Sequence, residues 1–178
     1  MTVELLRRAA AVIEYHDGAS VDPRLSPRPF LTATTPLGVP ATQVEPEDHL
    51  HHLGLSAALP DVNGTSFWGG RTYVRDQGST MLDNHGTQCV TGREVHGGAV
   101  IEQLAWLDAR GALLLDEERT ITVRENEDGW EVAWVSRLIA AQEVSFGSPH
   151  TNGRPDAFYG GLFWRAPFPV ADVRTADG

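Results

Sequence analysis

Apolar and polar positions alternate most clearly in the middle of the chain. Val100–Leu107 is dense in apolar and aromatic side chains, and the turn signal Asp108-Ala-Arg-Gly111 ends it. A second strand is expected over Ala112–Arg124. Asn126-Glu-Asp-Gly129 then closes a hairpin onto a third strand, Trp130–Ala140. Three consecutive hairpin-linked strands form a meander, and nothing shows the βαβ alternation of a parallel fold. The pattern predicts an all-β, antiparallel β-sandwich.

In the second strand a period of two places Leu113, Leu115, Glu117, Arg119, Ile121 and Val123 on one face. Leu114, Asp116, Glu118, Thr120, Thr122 and Arg124 take the other, polar face. Glu117 and Arg119 therefore fall in the middle of the apolar face. There they either pair with each other or line a polar cleft on the concave side of the sheet.

The flanks are less regular. Residues 1–17 fit an amphipathic helix with Val3, Leu6, Ala10 and Ile13 on one face, or strands around a turn. Residues 18–48 carry six prolines, which suits an extended, edge-like segment leading into the histidines. Residues 145–165 read as a glycine-rich structured loop followed by a strand. Residues 166–178 bring no closing element, as in a fragment of a longer protein.

With 178 residues the expectation is a single sandwich domain. The chain carries 24 acidic residues against 14 basic ones, all arginine, for a net charge of −10. That balance argues against nucleic acid as a partner. The absence of lysine excludes Schiff-base and P-loop chemistry. The lone Cys89 permits neither an internal disulfide nor a multi-cysteine zinc site, and is expected to be a packed, inert thiol. No apolar run is long enough to span a bilayer, and Ala9–Ile13 is too short for the core of a secretory leader. The expectation is a soluble, cytoplasmic protein without a membrane partner.

The densest polar signal is Glu47-Asp-His-Leu-His-His-Leu-Gly-Leu55. As a strand it would put His49 and His51 on one face and His52 on the other. Such histidines suit acid/base work or hydrogen bonding to a polar substrate. With a third ligand from His85 or Asp61, His49 and His51 would hold a divalent metal. They also fit an ordinary polar strand end.

Asp61-Val-Asn63-Gly64 is a turn, and Trp68 beside Gly69 and Gly70 either starts a core strand or presents a flat ring to a sugar. His85 follows another turn signal and could reach the same site. Asn152-Gly-Arg154-Pro155 is a turn whose arginine could clamp a carboxylate or a sugar hydroxyl.

Several of these segments together resemble the bacterial family labelled "methane oxygenase PmoA-like". They are Pro27-Arg-Pro-Phe30, Pro46-Glu-Asp-His-Leu-His-His-Leu-Gly54, Asp61-Val-Asn-Gly64 with Phe67-Trp-Gly-Gly70, Trp106-Leu-Asp-x-x-Gly111, Glu118-Arg-Thr120, Phe146-Gly-Ser, Asn152-Gly-Arg-Pro155, Tyr159-Gly-Gly161 and Phe163-Trp164. The resemblance spans residues 27–165. A methane oxygenase subunit of the particulate kind is an integral membrane protein, and this chain has no spanning segment, so that activity does not follow from the label. The resemblance implies instead a sandwich similar to galactose mutarotases, with histidines and a carboxylate on a concave sheet.

On that reading His51, His52, His85 and Glu117 would be catalytic, and Asp61, Asn63, Trp68, Arg119, Asn152 and Arg154 would bind a small-molecule substrate. A sugar or keto-sugar handled by acid/base chemistry, without a cofactor, is the leading expectation. A histidine and Glu117 would share proton removal and delivery, with Arg119 or Arg154 orienting oxygens. A metal-dependent oxidoreductase is the alternative. A non-catalytic accessory module, marked by an exposed apolar sheet edge, is the third.

Overall fold

The structure is a computed structural model that describes residues 1–127, 129–140 and 142–167. It is all-β and antiparallel. Its strands are β1 (Thr2–Arg8), β2 (Ala11–His16), β3 (Phe30–Ala33), β4 (Leu55–Ala58), β5 (Asp61–Val62), β6 (Thr72–Val74) and β7 (Gly78–Thr80). They continue with β8 (Thr87–His96), β9 (Ala99–Leu107), β10 (Leu113–Glu125), β11 (Trp130–Ala140), β12 (Phe146–Gly147) and β13 (Gly161–Trp164). One turn of 3-10 helix lies at Pro23–Leu25. No helix among the described residues is long and apolar enough to cross a membrane.

Two sheets face each other as a β-sandwich. The first has the order β1-β2-β3-β4-β13 and the second β11-β10-β9-β8. The meander read from the sequence is β9-β10-β11, and the β10–β11 turn closes with the Asn126 N–H donating to Gly129 O. Asp128 of that turn lies outside the described residues, as does most of 166–178. Residues 1–17 form the β1–β2 hairpin rather than a helix.

Two expectations about strands are corrected. The proline-rich stretch does not run along an edge: Phe30–Ala33, between Pro29 and Pro36, is an inner strand held by β2 and β4. It avoids the cost of proline by being four residues long. Leu113 does not face inward. A register shift between Leu113 and Leu115 turns it out to solvent and Leu114 in. From Leu115 onward the alternation holds, so Glu117, Arg119, Ile121 and Val123 all face the interior.

The interior divides into two apolar clusters. One joins Ile13, Tyr15 and Leu31 of the first sheet to Val100, Ile121 and Val123 of the second. The other packs Val62 and Phe67 on Leu104, Trp106, Leu114 and Leu115. Each fully buried aliphatic side chain there contributes about 1.5–3 kcal/mol.

A polar band runs across the second sheet. Arg93, Glu102, Arg119 and Ser136 are register partners on β8, β9, β10 and β11. Arg93 Nε donates to Glu102 Oε1 at 2.8 Å, and its Nη2 donates to the Tyr15 hydroxyl at 2.7 Å. Tyr15 from the facing sheet donates to Glu102 Oε1, and burial beside that carboxylate pushes the phenol pKa up.

Arg119 donates to both Glu117 oxygens, at 2.8 and 2.7 Å, and to Gln88 Oε1 at 2.9 Å. Trp106 Nε1 donates to Glu117 Oε2 at 2.7 Å. Glu117 and Arg119 are thus a buried, bidentate ion pair. Glu117 also floors a cavity of about 240 Å³ between β11 and β13, walled by Trp106 and Trp134. Both strands are sheet edges, and Val135, Leu138, Leu162 and Trp164 stand exposed along them.

Candidate functional site

The segment carrying the histidines is not a strand. Pro46 and Asp48 break it into two successive turns, closed by the His49 N–H donating to Pro46 O and the His52 N–H donating to His49 O. Strand-face alternation therefore does not apply. All three imidazoles touch instead: His49 stacks on His52 with centroids 4.5 Å apart, and His51 meets His52 edge-on at 4.6 Å. Backbone bonds from Glu45 N to His52 O and from Gly54 N to Gln43 O anchor the loop beside β4.

A second loop presses against the first. Trp68 lies in a loop and is half-buried, so it starts no strand. Gly69 and Gly70, both at positive φ, carry the chain past His51. A Cβ on Gly70 would stand 2.8 Å from His51 Nδ1, and one on Gly69 would strike the Leu25 carbonyl. Only glycine permits this approach. His85 braces the loop from behind, its Nε2 donating to Gly70 O at 2.7 Å.

A third segment, residues 149–165, completes the enclosure. Tyr159 packs on Trp68 at 4.8 Å, and Phe163 of β13 packs on both Trp68 (5.0 Å) and His52 (4.7 Å). The Arg154 N–H donates to Pro149 O, which holds the 150s turn over the opening. The result is a cavity of about 740 Å³, within the usual range for small-molecule sites. Its lining includes His49, His51, His52, Trp68, Tyr159, Phe163, Arg71 and Arg154, with Glu47 and Asp48 at one side.

Three arginines shape its electrostatics. Arg28, only 1% exposed, lies beneath the histidine and tryptophan loops. Its Nη1 donates to the carbonyls of Leu25, Ser26 and Trp68, its Nη2 to His51 O at 2.8 Å, and its Nε to Ser56 Oγ. No carboxylate among the described residues is bonded to it, and burial pushes its pKa down to about 9. Arg165 Nη1 lies 3.3 Å from His52 Nδ1 and its Nη2 lies 3.2 Å from both Asp48 oxygens. The Arg154 guanidinium has no hydrogen-bond or ion-pair partner among the described residues.

These contacts assign protons to the rings. Arginine can only donate, so His52 Nδ1 accepts and its proton sits on Nε2. His49 Nδ1 donates to Asp48 Oδ2 at 2.8 Å, and that bond, then Arg165, holds the Asp48 carboxyl below the ordinary range. Burial first, then the neighbouring histidines and arginines, pushes His51 down to about 4 and His52 to about 3. Both are neutral at pH 7. The His51 ring has no hydrogen-bond partner among the described residues, so its nitrogens are left for a ligand.

The sequence candidates thus separate. His51, His52, Trp68 and Arg154 line one cavity. His85 stands behind it as a brace. Asn152 lies in a small recess against Trp68 and Tyr159, with its amide donating to Asp61 Oδ2 at 3.1 Å. Asp61 is spent on that bond and on the Gly64 N–H. Asn63 is exposed and ties the 140s segment through Ser145.

Glu117 and Arg119 belong to the sandwich interior and are absent from the cavity wall, a correction to their place beside the histidines. Their side chains follow the β10 register inward, where Trp106 donates to Glu117 and Gln88 accepts from Arg119, while Arg119 Nη1 stays buried without a partner among the described residues. The metal trio does not assemble either: Asp61 and the His85 Nε2 are already bonded. No group of three histidine, cysteine or carboxylate side chains among the described residues is placed to hold a metal ion. Arg28, Arg71, Tyr159 and Phe163 were not singled out from the sequence as site residues. The one readable sign of Arg28 was an arginine locked between Pro27 and Pro29.

A family model described as a family of unknown function (DUF6807) matches residues 2–178, and the chain belongs to that family. No match was found among curated proteins or among solved structures.

Proposed function

We propose that this DUF6807 protein binds a sugar or keto-sugar in the cavity between the histidine loop and Trp68, and acts on it by proton transfer. The observation that carries this reading is the convergence of an unbonded, neutral His51 and an aromatic wall on one cavity. Aromatic rings receive the apolar face of a sugar, while imidazoles and guanidiniums receive its hydroxyls. His51 is the proton acceptor. His52 presents its Nε2–H as a hydrogen-bond donor. His49, oriented by Asp48, is the proton donor. The likeness of the 48–52 and 61–70 segments to PmoA-like proteins, and of that sandwich to mutarotases, supports the same reading.

A thermal-shift and calorimetric screen of monosaccharides and 3-keto-sugars checks it. Binding is expected in the wild type, and a loss of at least about tenfold in affinity in Trp68→Ala. In His51→Gln, turnover should be lost while binding survives. Sugar binding undiminished in Trp68→Ala, or turnover intact in His51→Gln, would overturn the assignment.

A further inference from the structure

The charge around the cavity does not match the chain that contains it. Acidic residues outnumber arginines 24 to 14. Carboxylates are plentiful, and Arg7, Arg8, Arg93, Arg119, Arg137 and Arg165 each hold one. Arg71, Arg154 and Arg28, on and beneath the cavity wall, hold no carboxylate among the described residues, as Arg24, Arg75, Arg110 and Arg124 elsewhere also do not. Among the described residues the Arg71 side chain donates only to the Ser79 carbonyl, at 3.3 Å. The Arg154 guanidinium has no partner among the described residues. Arg28, sealed beneath the floor, spends every bond on neutral oxygens.

Two carboxylates oppose them. Asp48 is already shared between His49 and Arg165, which leaves Glu47 as the other acidic group on the wall. His51 and His52 are neutral and add no charge. The cavity is therefore a positive site in a strongly negative protein. A buried cation without a counter-ion raises the local potential, because the low-dielectric interior screens it little. Exposed guanidiniums with free N–H groups are suited to carboxylate recognition.

From this we infer that the ligand is a sugar acid: its ring lies against Trp68 and Tyr159, and its carboxylate is met by Arg154 and Arg71. The inference rests on the carbohydrate reading above and narrows it to uronic-acid-type substrates.

The test is a calorimetric comparison of galacturonate with galactose and of glucuronate with glucose, with acetate as a bare carboxylate. The expected result is that each acid binds at least about tenfold more tightly than its neutral parent, a difference of about 1.4 kcal/mol. The preference should shrink as salt is raised. Arg154→Gln should reduce the ratio of acid to neutral affinity. Arg110→Gln, the same charge change in the β9–β10 turn outside the cavity lining, should leave it alone.

Equal binding of acids and neutral parents would overturn the sugar-acid inference and leave the carbohydrate reading standing. Failure of both to bind would overturn the two together. Acetate binding as tightly as the uronates, with no loss in Trp68→Ala, would replace them with a plain anion site.

Discussion

Arg28 shows how one side chain can hold two loops. Its guanidinium joins carbonyls of the Pro23–Leu25 turn, the histidine loop and the Trp68 loop. Truncation would leave those acceptors buried and unmet, at about 1–3 kcal/mol for each group. Arg28→Met is expected to lose about 3 kcal/mol or more by urea unfolding at pH 7. A variant within about 1 kcal/mol of wild type would show that the loops stand without it. Lysine would keep the charge but not the planar fork, so Arg28→Lys should also be destabilised.

Glu117 and Arg119 are the complementary case. Their inward position was legible from alternation, because a period of two leaves a charged pair nowhere else to point. Their partners were not legible. Trp106 and Gln88 come from β9 and β8, and one strand's pattern does not say which neighbours it meets.

At the scale of elements, the β9-β10-β11 meander followed from local pattern and turn chemistry. β8 was not singled out: its half-exposed residues and Gly92 give no clean alternation, and pairing with β9 includes a register shift at Val90/Gly92. The strand alternation considered for the histidine segment does not hold there. Pro46 and Asp48 decide the turn instead.

The Trp68–Arg71 loop depends on its glycines. Gly70→Ala must place a methyl against the His51 ring at a positive φ. Ligand binding should fall at least about tenfold, with the cost in stability about 1 kcal/mol or more. Titration calorimetry together with a melting curve separates the two effects, and unchanged binding would mean that the loop tolerates displacement.

At the scale of the molecule, the sandwich's stability is coupled to the cavity through pH. His51 and His52 stay unprotonated in the fold well below the ordinary histidine value of 6.5. Between that value and about 4 for His51, or about 3 for His52, the unfolded chain binds protons that the native state refuses. Stability is therefore fully present above pH 6.5 and declines as pH falls through that window. The melting temperature should drop from pH 7 to pH 4.5. The drop should be smaller in His52→Gln than in wild type, because the variant has lost one of the two groups. A wild-type profile flat over that range would contradict the neutral, buried assignment of these rings.

The sequence by itself determined the all-β class, the antiparallel meander and the inward face of Glu117 and Arg119. These depend on periods and turns within a few residues of one another. It also marked His51, His52, Trp68 and Arg154 as chemically apt. Only the tertiary structure decided which of them meet. Residues 49–52, 68–71 and 154–163 come together because β3, β4 and β13 lie side by side, and because Arg28 and two glycines let the loops close. Contacts between residues about a hundred positions apart leave no periodic trace in the chain. For the same reason Glu117 went to the core rather than to the histidines: its register, set by neighbouring strands, outranked its chemical suitability.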